Sequence, residues 1–217
     1  MQVQRIVRSI GAWCAGVAIA GGLAVSGVSP VSAEDGAGNQ VFFKAGYVGM
    51  NSNRAGETFT GAGNDGTSGW YVGGGVDLML SKDVWGAMDK TSVLGEIGLQ
   101  FNRMASKVTT NAGVSGATPV TTQLTMVTID VAPKIKFMEG SAFRPWVIPI
   151  GLDIHVMSPP SNQAQYLDLG VQFGGGFEYQ VWKAFKVGLD ARYHLTANLT
   201  NTTNSYFQVG PYVGISF

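Results

Sequence analysis

The residues of this sequence that could do acid–base or metal chemistry recur at every second position within otherwise apolar stretches. The two histidines show the pattern: Asp153 precedes His155 by two positions, and Arg192 precedes His194 by two. Carboxylates and imidazoles are common general acids, general bases and metal ligands. The alternating set comprises Lys44, Asp77, Glu96, Asp130, Lys134, Lys136, Asp153, His155, Asp168, Glu178, Lys186, Asp190, Arg192 and His194.

Metal chemistry is not indicated by the local pattern of ligands. Protein zinc sites usually draw on Cys and His residues at characteristic close spacing. Here the histidines His155 and His194 have no adjacent ligand motif, and the single cysteine, Cys14, lies in the N-terminal apolar segment. The sequence therefore predicts neither a metal site nor a bound cofactor.

Residues 193–198 read YHLTAN. This run loosely resembles the His-x-Ser-Asn run of the lipid A 3-O-deacylases, which are small outer-membrane enzymes. Thr196 stands where that family has Ser, Ala197 intervenes before Asn198, and no acid follows to orient His194. A nucleophile needs a base and an orienting group within reach, so we predict no catalytic residues.

The elements that carry these polar residues are β-strands. Apolar and polar side chains alternate with period two in eight segments separated by turn-forming residues, and this period places the two sets on opposite faces of a strand. Strands of about ten residues suffice to cross a bilayer when tilted. The eight segments are 41–49, 70–80, about 93–102, 127–137, 146–156, 167–181, 186–195 and 205–217.

Alternation in series, with the charges on one face, is typical of a transmembrane antiparallel up-and-down β-barrel, an all-β fold. Eight strands leave an interior only wide enough for side chains to fill. Charges of both signs inside must pair or be hydrated. The sequence therefore predicts a salt-bridged plug, with a narrow polar path as the alternative.

Three prolines interrupt the predicted strands, at Pro133, Pro149 and Pro211. Each removes one donor from the hydrogen-bond ladder, and a closed barrel offers no edge strand to accommodate the loss. We expect β-bulges or missing pairs at these positions.

Aromatic residues cluster toward both ends of the predicted strands. Amphipathic rings favour the two interfaces of a membrane, so this distribution predicts two aromatic girdles. Trp70, Tyr166 and Phe207 are assigned to one girdle, and Phe137, Trp146, Trp182 and Phe217 to the other.

The N-terminus predicts export. Arg5 and Arg8 precede an apolar run, and a small-x-small site ends at Ala33, which together indicate a secretory signal peptide over residues 1–33. Loss of those two arginines leaves twelve basic against fourteen acidic residues in 34–217, the predicted barrel domain. This near-neutral balance excludes a nucleic-acid-binding class, which would be strongly basic.

With these features together, residues 40–217 resemble the small porin-like outer-membrane β-barrels of Gram-negative bacteria, of the OmpA/OmpX/OmpW/opacity type. The resemblance rests on the alternating strands and on the apolar last strand ending at Phe217. It implies a monomer in the cell outer membrane, in contact with lipid and lipopolysaccharide. It also implies insertion by the barrel-assembly machinery through the C-terminal strand.

Function is less specified than architecture. The first hypothesis is a structural or surface-interaction role through the predicted loops 51–69, 104–122, 158–165 and 197–204, because loops on a rigid scaffold commonly carry recognition. The alternatives are a narrow channel or carrier for small solutes through the lumen, and a lipid A-modifying enzyme.

Overall fold

The computed structural model describes residues 38–51, 67–109, 120–158, 167–197 and 204–217. Among these residues, no helix is long and apolar enough to cross a membrane. The predicted signal peptide and Tyr166 lie outside the described residues. The strands are β1 (Gln40–Met50), β2 (Ser68–Ser81), β3 (Ser92–Thr109), β4 (Val120–Lys136), β5 (Phe143–Ser158), β6 (Leu167–Trp182), β7 (Phe185–Thr196) and β8 (Tyr206–Ser216).

The eight strands close into one barrel. Each strand pairs antiparallel with the next, and β8 pairs with β1, from Gln40 opposite Ser216 to Met50 opposite Tyr206. Closure pairs every strand on both sides and so removes the exposed edges of an open sheet. The predicted fold class, an up-and-down barrel of eight strands, is confirmed.

The two ends of the barrel differ in their connections. β1 begins and β8 ends at one end, here named the terminal rim, and the opposite end is named the loop rim. The connections at the terminal rim are 82–91, 137–142 and 183–184. Those at the loop rim are 51–67, 110–119, 159–166 and 197–205.

The outer wall is apolar around the barrel. Leu152 is 68% exposed, Phe43 57% and Leu99 56%, although each lies within a paired strand. Water would penalise so much exposed hydrocarbon, whereas lipid accepts it. Polar and charged side chains point inward at the alternate positions, as the period of two requires. The barrel is therefore built to span a bilayer.

Two strands are longer than the alternation indicated. The backbone of β3 continues to Thr109 and pairs with β4 as far as Val120. The alternation of the sequence predicts a loop over 104–122 in this region. Threonine is a good strand former, and backbone pairing needs no apolar face. A polar extension of this kind therefore escapes a search for alternating hydrophobicity.

Strand β5 contains a bulge at Pro149. Between Ile148 and Gly151, β5 has one more residue than either neighbouring strand. Pro149 and the following Ile150 both face outward. A residue inserted in one strand shifts the facing of everything beyond it by one position. The expectation of an irregularity at this proline is confirmed.

The bulge overturns the predicted facing of the first half of β5. Trp146 was assigned to the aromatic girdle, but it is 1% exposed and lies inside the barrel. Ile148, at 2%, is also inside. Gly176 makes room for the indole, because a Cβ built there would lie 2.7 Å from Cζ2 of Trp146. The physical reason for the error is the extra residue, which reverses parity between Trp146 and Asp153.

The other two prolines of the predicted strands interrupt pairing without a bulge of their own. Pro133 faces outward, and the β4–β5 pairs stop at Val131 and resume at Ile135. Pro211 also faces outward, and the β1–β8 pairs are missing between Lys44 and Tyr47. Both agree with the expected missing pairs.

Aromatic side chains mark both rims on the outer wall. At the loop rim, Trp70 is 46% and Phe207 41% exposed, and the Phe207 ring lies 5.6 Å from that of Tyr47. At the terminal rim, Trp182 is 69% and Phe217 58% exposed. Phe137, just beyond β4, is half-buried at the same rim.

The inward position of Trp146 predicts that lipid does not reach it. In residues 34–217 refolded into bilayers with brominated acyl chains, Trp146 fluorescence should persist when it is the only tryptophan, in a variant carrying Trp70→Phe, Trp85→Phe and Trp182→Phe. A matched variant that keeps only Trp182 should be strongly quenched. Equal quenching of the two variants would contradict the reversed facing of β5.

Candidate functional site

The lumen is occupied by a chain of buried ion pairs, here named the ion network. Five cationic side chains face five carboxylates, so its formal charge balances. Within it, Lys134 lies 3.0 Å from Asp77, and its ammonium also pairs with Glu96. Opposite charges enclosed in an apolar wall are stable only when paired and hydrogen-bonded. The ten members are Lys44, Asp77, Glu96, Asp130, Lys134, Lys136, Glu178, Lys186, Asp190 and Arg192.

Arg192 of β7 is the centre of the ion network. Its guanidinium donates hydrogen bonds to the Glu96 carboxylate of β3 from both terminal nitrogens, with Nη2 lying 3.1 Å from Oε2. Its Nε and Nη2 donate to Asp190 at 3.0 and 2.8 Å, and Nη1 donates to Oε1 of Gln172 at 3.1 Å. Gln172 in turn donates to Asp130 at 3.1 Å. The planar fork of arginine suits such bidentate bonding, which a lysine could not supply.

Lys134 lies within a sleeve of aromatic rings. Its Nζ is 4.7 Å from the ring centroid of Phe42, 4.8 Å from that of Trp146 and 5.5 Å from that of Tyr212. The negative faces of aromatic rings attract a cation, and the attraction grows when water is excluded. These three inward rings thus stabilise the charge while filling the lumen. This role is not predicted by the aromatic distribution, which indicates only rings at the two membrane interfaces.

Toward the terminal rim, the ion network reaches a small pocket. Lys136 bridges Asp77 and Glu178, at 3.2 and 3.0 Å, and Lys186 lies 3.3 Å from Glu178. The pocket, of about 80 Å³, is lined by Lys136, Glu178 and Lys186 together with Arg144. It can hold a few water molecules rather than a substrate.

Toward the loop rim lies a second group, here named the His–Asp cluster, made of Asp153, His155 and His194. Oδ2 of Asp153 is 2.8 Å from Nδ1 of His194 and 3.8 Å from Nε2 of His155. β5 supplies two members and β7 the third, so the residues meet only because the barrel closes. The two histidines have no adjacent ligand motif in the sequence, which therefore predicts no metal site, yet among the described residues these three form a group that could hold a metal ion.

The loop-rim side of the His–Asp cluster is covered by buried apolar side chains, here named the apolar cap. Tyr206 joins the two, because its ring stacks on His194 with centroids 4.3 Å apart. The cap excludes water from the lumen beneath it. Its members are Val48, Met50, Tyr71, Met104, Leu124, Met126, Met157 and Tyr206.

All fourteen charged or imidazole residues assigned to the lumen lie inside the barrel. Thirteen are at most 3% exposed, and the side chain of Lys186 is 12% exposed beside the terminal pocket. Asp168 belongs to neither group: it accepts a hydrogen bond from Asn204 at 2.8 Å near the loop rim. The amides Gln40, Gln172 and Gln208 were not singled out, although their inward positions in the alternation could have revealed them.

Comparisons with known proteins identify solved structures that share this architecture. No protein-family model and no curated protein sequence matches the chain. The crystal structure of Neisserial surface protein A (NspA) matches with a TM-score of 0.51 and 13% identity, over 85% of this chain and 100% of NspA. The chain has the fold of the small outer-membrane β-barrels.

Two further barrels match at lower scores. OprG from Pseudomonas aeruginosa gives a TM-score of 0.47 and 12% identity, over 84% of this chain and 98% of OprG. The outer-membrane enzyme PagL gives 0.48 and 15%, over 81% of this chain and 99% of PagL. Sequence identities this low indicate a shared barrel fold and nothing more. The role of the present protein has to be argued from its own residues.

Arg192 should be the most costly residue of the ion network to remove. Arg192→Met leaves Glu96 and Asp190 buried without their main partner, and breaking a buried pair in this way costs about 3–5 kcal/mol. Urea unfolding in lipid vesicles measures the loss. Arg103→Gln, at an exposed position near the loop rim, is the matched control and should change the free energy of unfolding by less than about 0.5 kcal/mol.

The double variant Arg192→Met with Glu96→Met should recover part of the lost stability, because it removes both charges of the bidentate pair. If Arg192→Met alone unfolded at the same urea concentration as the wild type, Arg192 would not be the centre of the lumen.

Proposed function

We propose that this chain is an integral outer-membrane barrel that does not conduct solutes and acts without catalysis. Its wall would hold the loop-rim connections rigidly at the cell surface as an interaction platform. The observation that carries the proposal is the filled lumen, in which a balanced ion network and an apolar cap occupy the space a solute would need.

Transport is disfavoured by the exposure of the lumenal side chains. Lys134 and Glu96, in the terminal half of the barrel, are both 0% exposed. A water-filled pore would wet such groups, as in the wider porins. The apolar cap adds a second obstacle, because Met104, Met126 and Met157 are each at most 3% exposed. A path for solutes would require both layers to rearrange.

Lipid-directed catalysis is disfavoured by the facing of the candidate residues. Acyl chains contact the outer wall, whereas His194 and Thr196 face the lumen at 0% and 5% exposure. His194 is also engaged by Asp153 and stacked on Tyr206. Neither side chain can meet an acyl ester on the outside. These facts support a role that does not depend on lipid hydrolysis.

A surface role is supported by the contrast between the rims. The connections at the terminal rim contain ten, six and two residues (82–91, 137–142 and 183–184), whereas those at the loop rim contain between eight and seventeen, the longest being 51–67. Long connections on a rigid barrel are where binding residues usually lie. A closed, ion-paired wall fixes their attachment points, which lowers the cost of ordering them on a partner.

The proposal predicts a silent barrel. The protein inserted into planar lipid bilayers should give no steady openings under conditions in which a general porin, tested in parallel, conducts. Reproducible single-channel steps that scale with protein concentration would contradict a sealed lumen and favour the channel alternative.

The surface half of the proposal is tested on whole cells. Bacteria that display the barrel should adhere to cultured epithelial cells more than bacteria without it. A variant with 52–66 and 159–166 replaced by short Gly-Ser turns should lose this gain while keeping its heat-modifiable mobility in gels. Unchanged adhesion by the folded variant would count against a loop-borne role.

A further inference from the structure

The His–Asp cluster has the geometry of a metal site rather than of a simple hydrogen-bonded pair. One atom from each of Asp153, His155 and His194 can be chosen so that all three lie within 4.8 Å of one another, and all three residues are buried. Ligand atoms sharing one zinc ion at bond lengths of about 2.0–2.1 Å lie roughly 3.3 Å apart. The distances from Oδ2 of Asp153 to the two histidine nitrogens, 2.8 and 3.8 Å, bracket that separation.

Each imidazole is held from its far side by a neutral oxygen. Nδ1 of His155 is 2.9 Å from Oγ1 of Thr128, and Nε2 of His194 is 3.3 Å from Oε1 of Gln208. Metal-binding histidines usually donate their second N–H to such an acceptor, which fixes the ring and its tautomer. In this arrangement the remaining nitrogen of each ring offers a lone pair toward Asp153.

Two lone pairs that face each other at hydrogen-bond distance repel each other unless a proton or a cation lies between them. With Nε2 of His194 donating to Gln208, its Nδ1 and the Asp153 carboxylate are both acceptors at 2.8 Å. Nε2 of His155 and Oδ1 of Asp153 are buried without a hydrogen-bond partner among the described residues. Such unsatisfied buried groups are costly, and a cation at the centre would satisfy them together.

The space beside Nε2 of His155 is kept open by Gly170. A Cβ built on Gly170 would lie 2.9 Å from that nitrogen. Gly170 is also the register partner of Asp153 across the β5–β6 pair. The cluster therefore has room beside Nε2 of His155.

Charge supports the same conclusion. The ion network balances five cations with five carboxylates, whereas among the described residues Asp153 forms ion pairs only with His155 and His194. Neutral imidazoles leave that carboxylate without a compensating charge. Buried carboxylates are stable when they are paired or bound to a metal ion.

We propose that the His–Asp cluster binds one divalent first-row transition-metal ion through Asp153, Nε2 of His155 and Nδ1 of His194. Two imidazoles and a carboxylate suit zinc and its neighbours rather than calcium or magnesium, which prefer oxygen ligands. The bound ion ties β5 to β7 beneath the apolar cap. Because the cluster is closed to solvent, the ion enters as the barrel folds.

The test uses the full barrel, with a tag that contains no histidine, refolded into detergent with either Zn²⁺ or EDTA. After gel filtration, elemental analysis should find one zinc per barrel in the first sample and none in the second. Refolding with Co²⁺ should give the visible absorption bands of a low-symmetry site. His155→Gln and Asp153→Asn should each abolish retention of either metal, provided heat-modifiable mobility shows that the variants fold.

Two further variants test whether the metal ion binds at the His–Asp cluster. Thr128→Val keeps the three ligands but releases His155, so it should weaken zinc affinity roughly 10- to 100-fold. Glu178→Gln removes a buried carboxylate of the ion network far from the cluster and should retain one zinc. Folded wild-type barrel that retains no metal would overturn the proposal, leaving an imidazolium–carboxylate pair instead. Equal retention by His155→Gln would overturn it as well, because the metal would then be bound elsewhere.

Discussion

The bidentate pairing of Arg192 with Glu96 is the interaction on which the interior depends. An eight-stranded barrel must be filled by its own side chains, and here alternate positions of β1, β2, β3, β4, β6 and β7 deliver charges to the same narrow space. No single pair could neutralise them. The guanidinium, bonded to Glu96, Asp190 and Gln172, links strands that are not neighbours in the wall. Backbone hydrogen bonds between the strands close the barrel, and the contacts of Arg192 hold the lumenal side chains in place.

Three layers follow from that constraint along the axis. Charges and the aromatic sleeve of Phe42, Trp146 and Tyr212 fill the terminal half, the His–Asp cluster lies above them, and the apolar cap ends the packed lumen toward the loop rim. Between the two rims, the outer wall is apolar. Ion pairs packed inside an apolar wall make the barrel rigid and occupy the space that a solute would need. A scaffold role therefore fits better than transport.

Much of this architecture can be read from the sequence, because strand parity alone separates the wall from the lumen. Asp77, Glu96 and Arg192 were placed inside by counting in twos. The predicted facing is wrong where a bulge adds a residue to a strand, as at Pro149, where Trp146 points inward. The proline indicates that some irregularity is expected there, but it does not indicate that a residue is inserted. Partners across the lumen are also hidden. His155 and His194 belong to different strands, and only the register and shear of the closed barrel bring them to one carboxylate.

The central claim, a dry and filled lumen, is tested most directly by the reactivity of a cysteine placed within it. Residues 34–217 contain no cysteine, and Ala132, 2% exposed beside Trp146 and Ile148, accepts one with little change in volume. In lipid nanodiscs, Ala132→Cys should resist a small water-soluble methanethiosulfonate reagent until the barrel is unfolded, while Trp85→Cys in the exposed turn reacts at once. Labelling of both cysteines at similar rates in the folded barrel would show that water fills the lumen and would contradict the account.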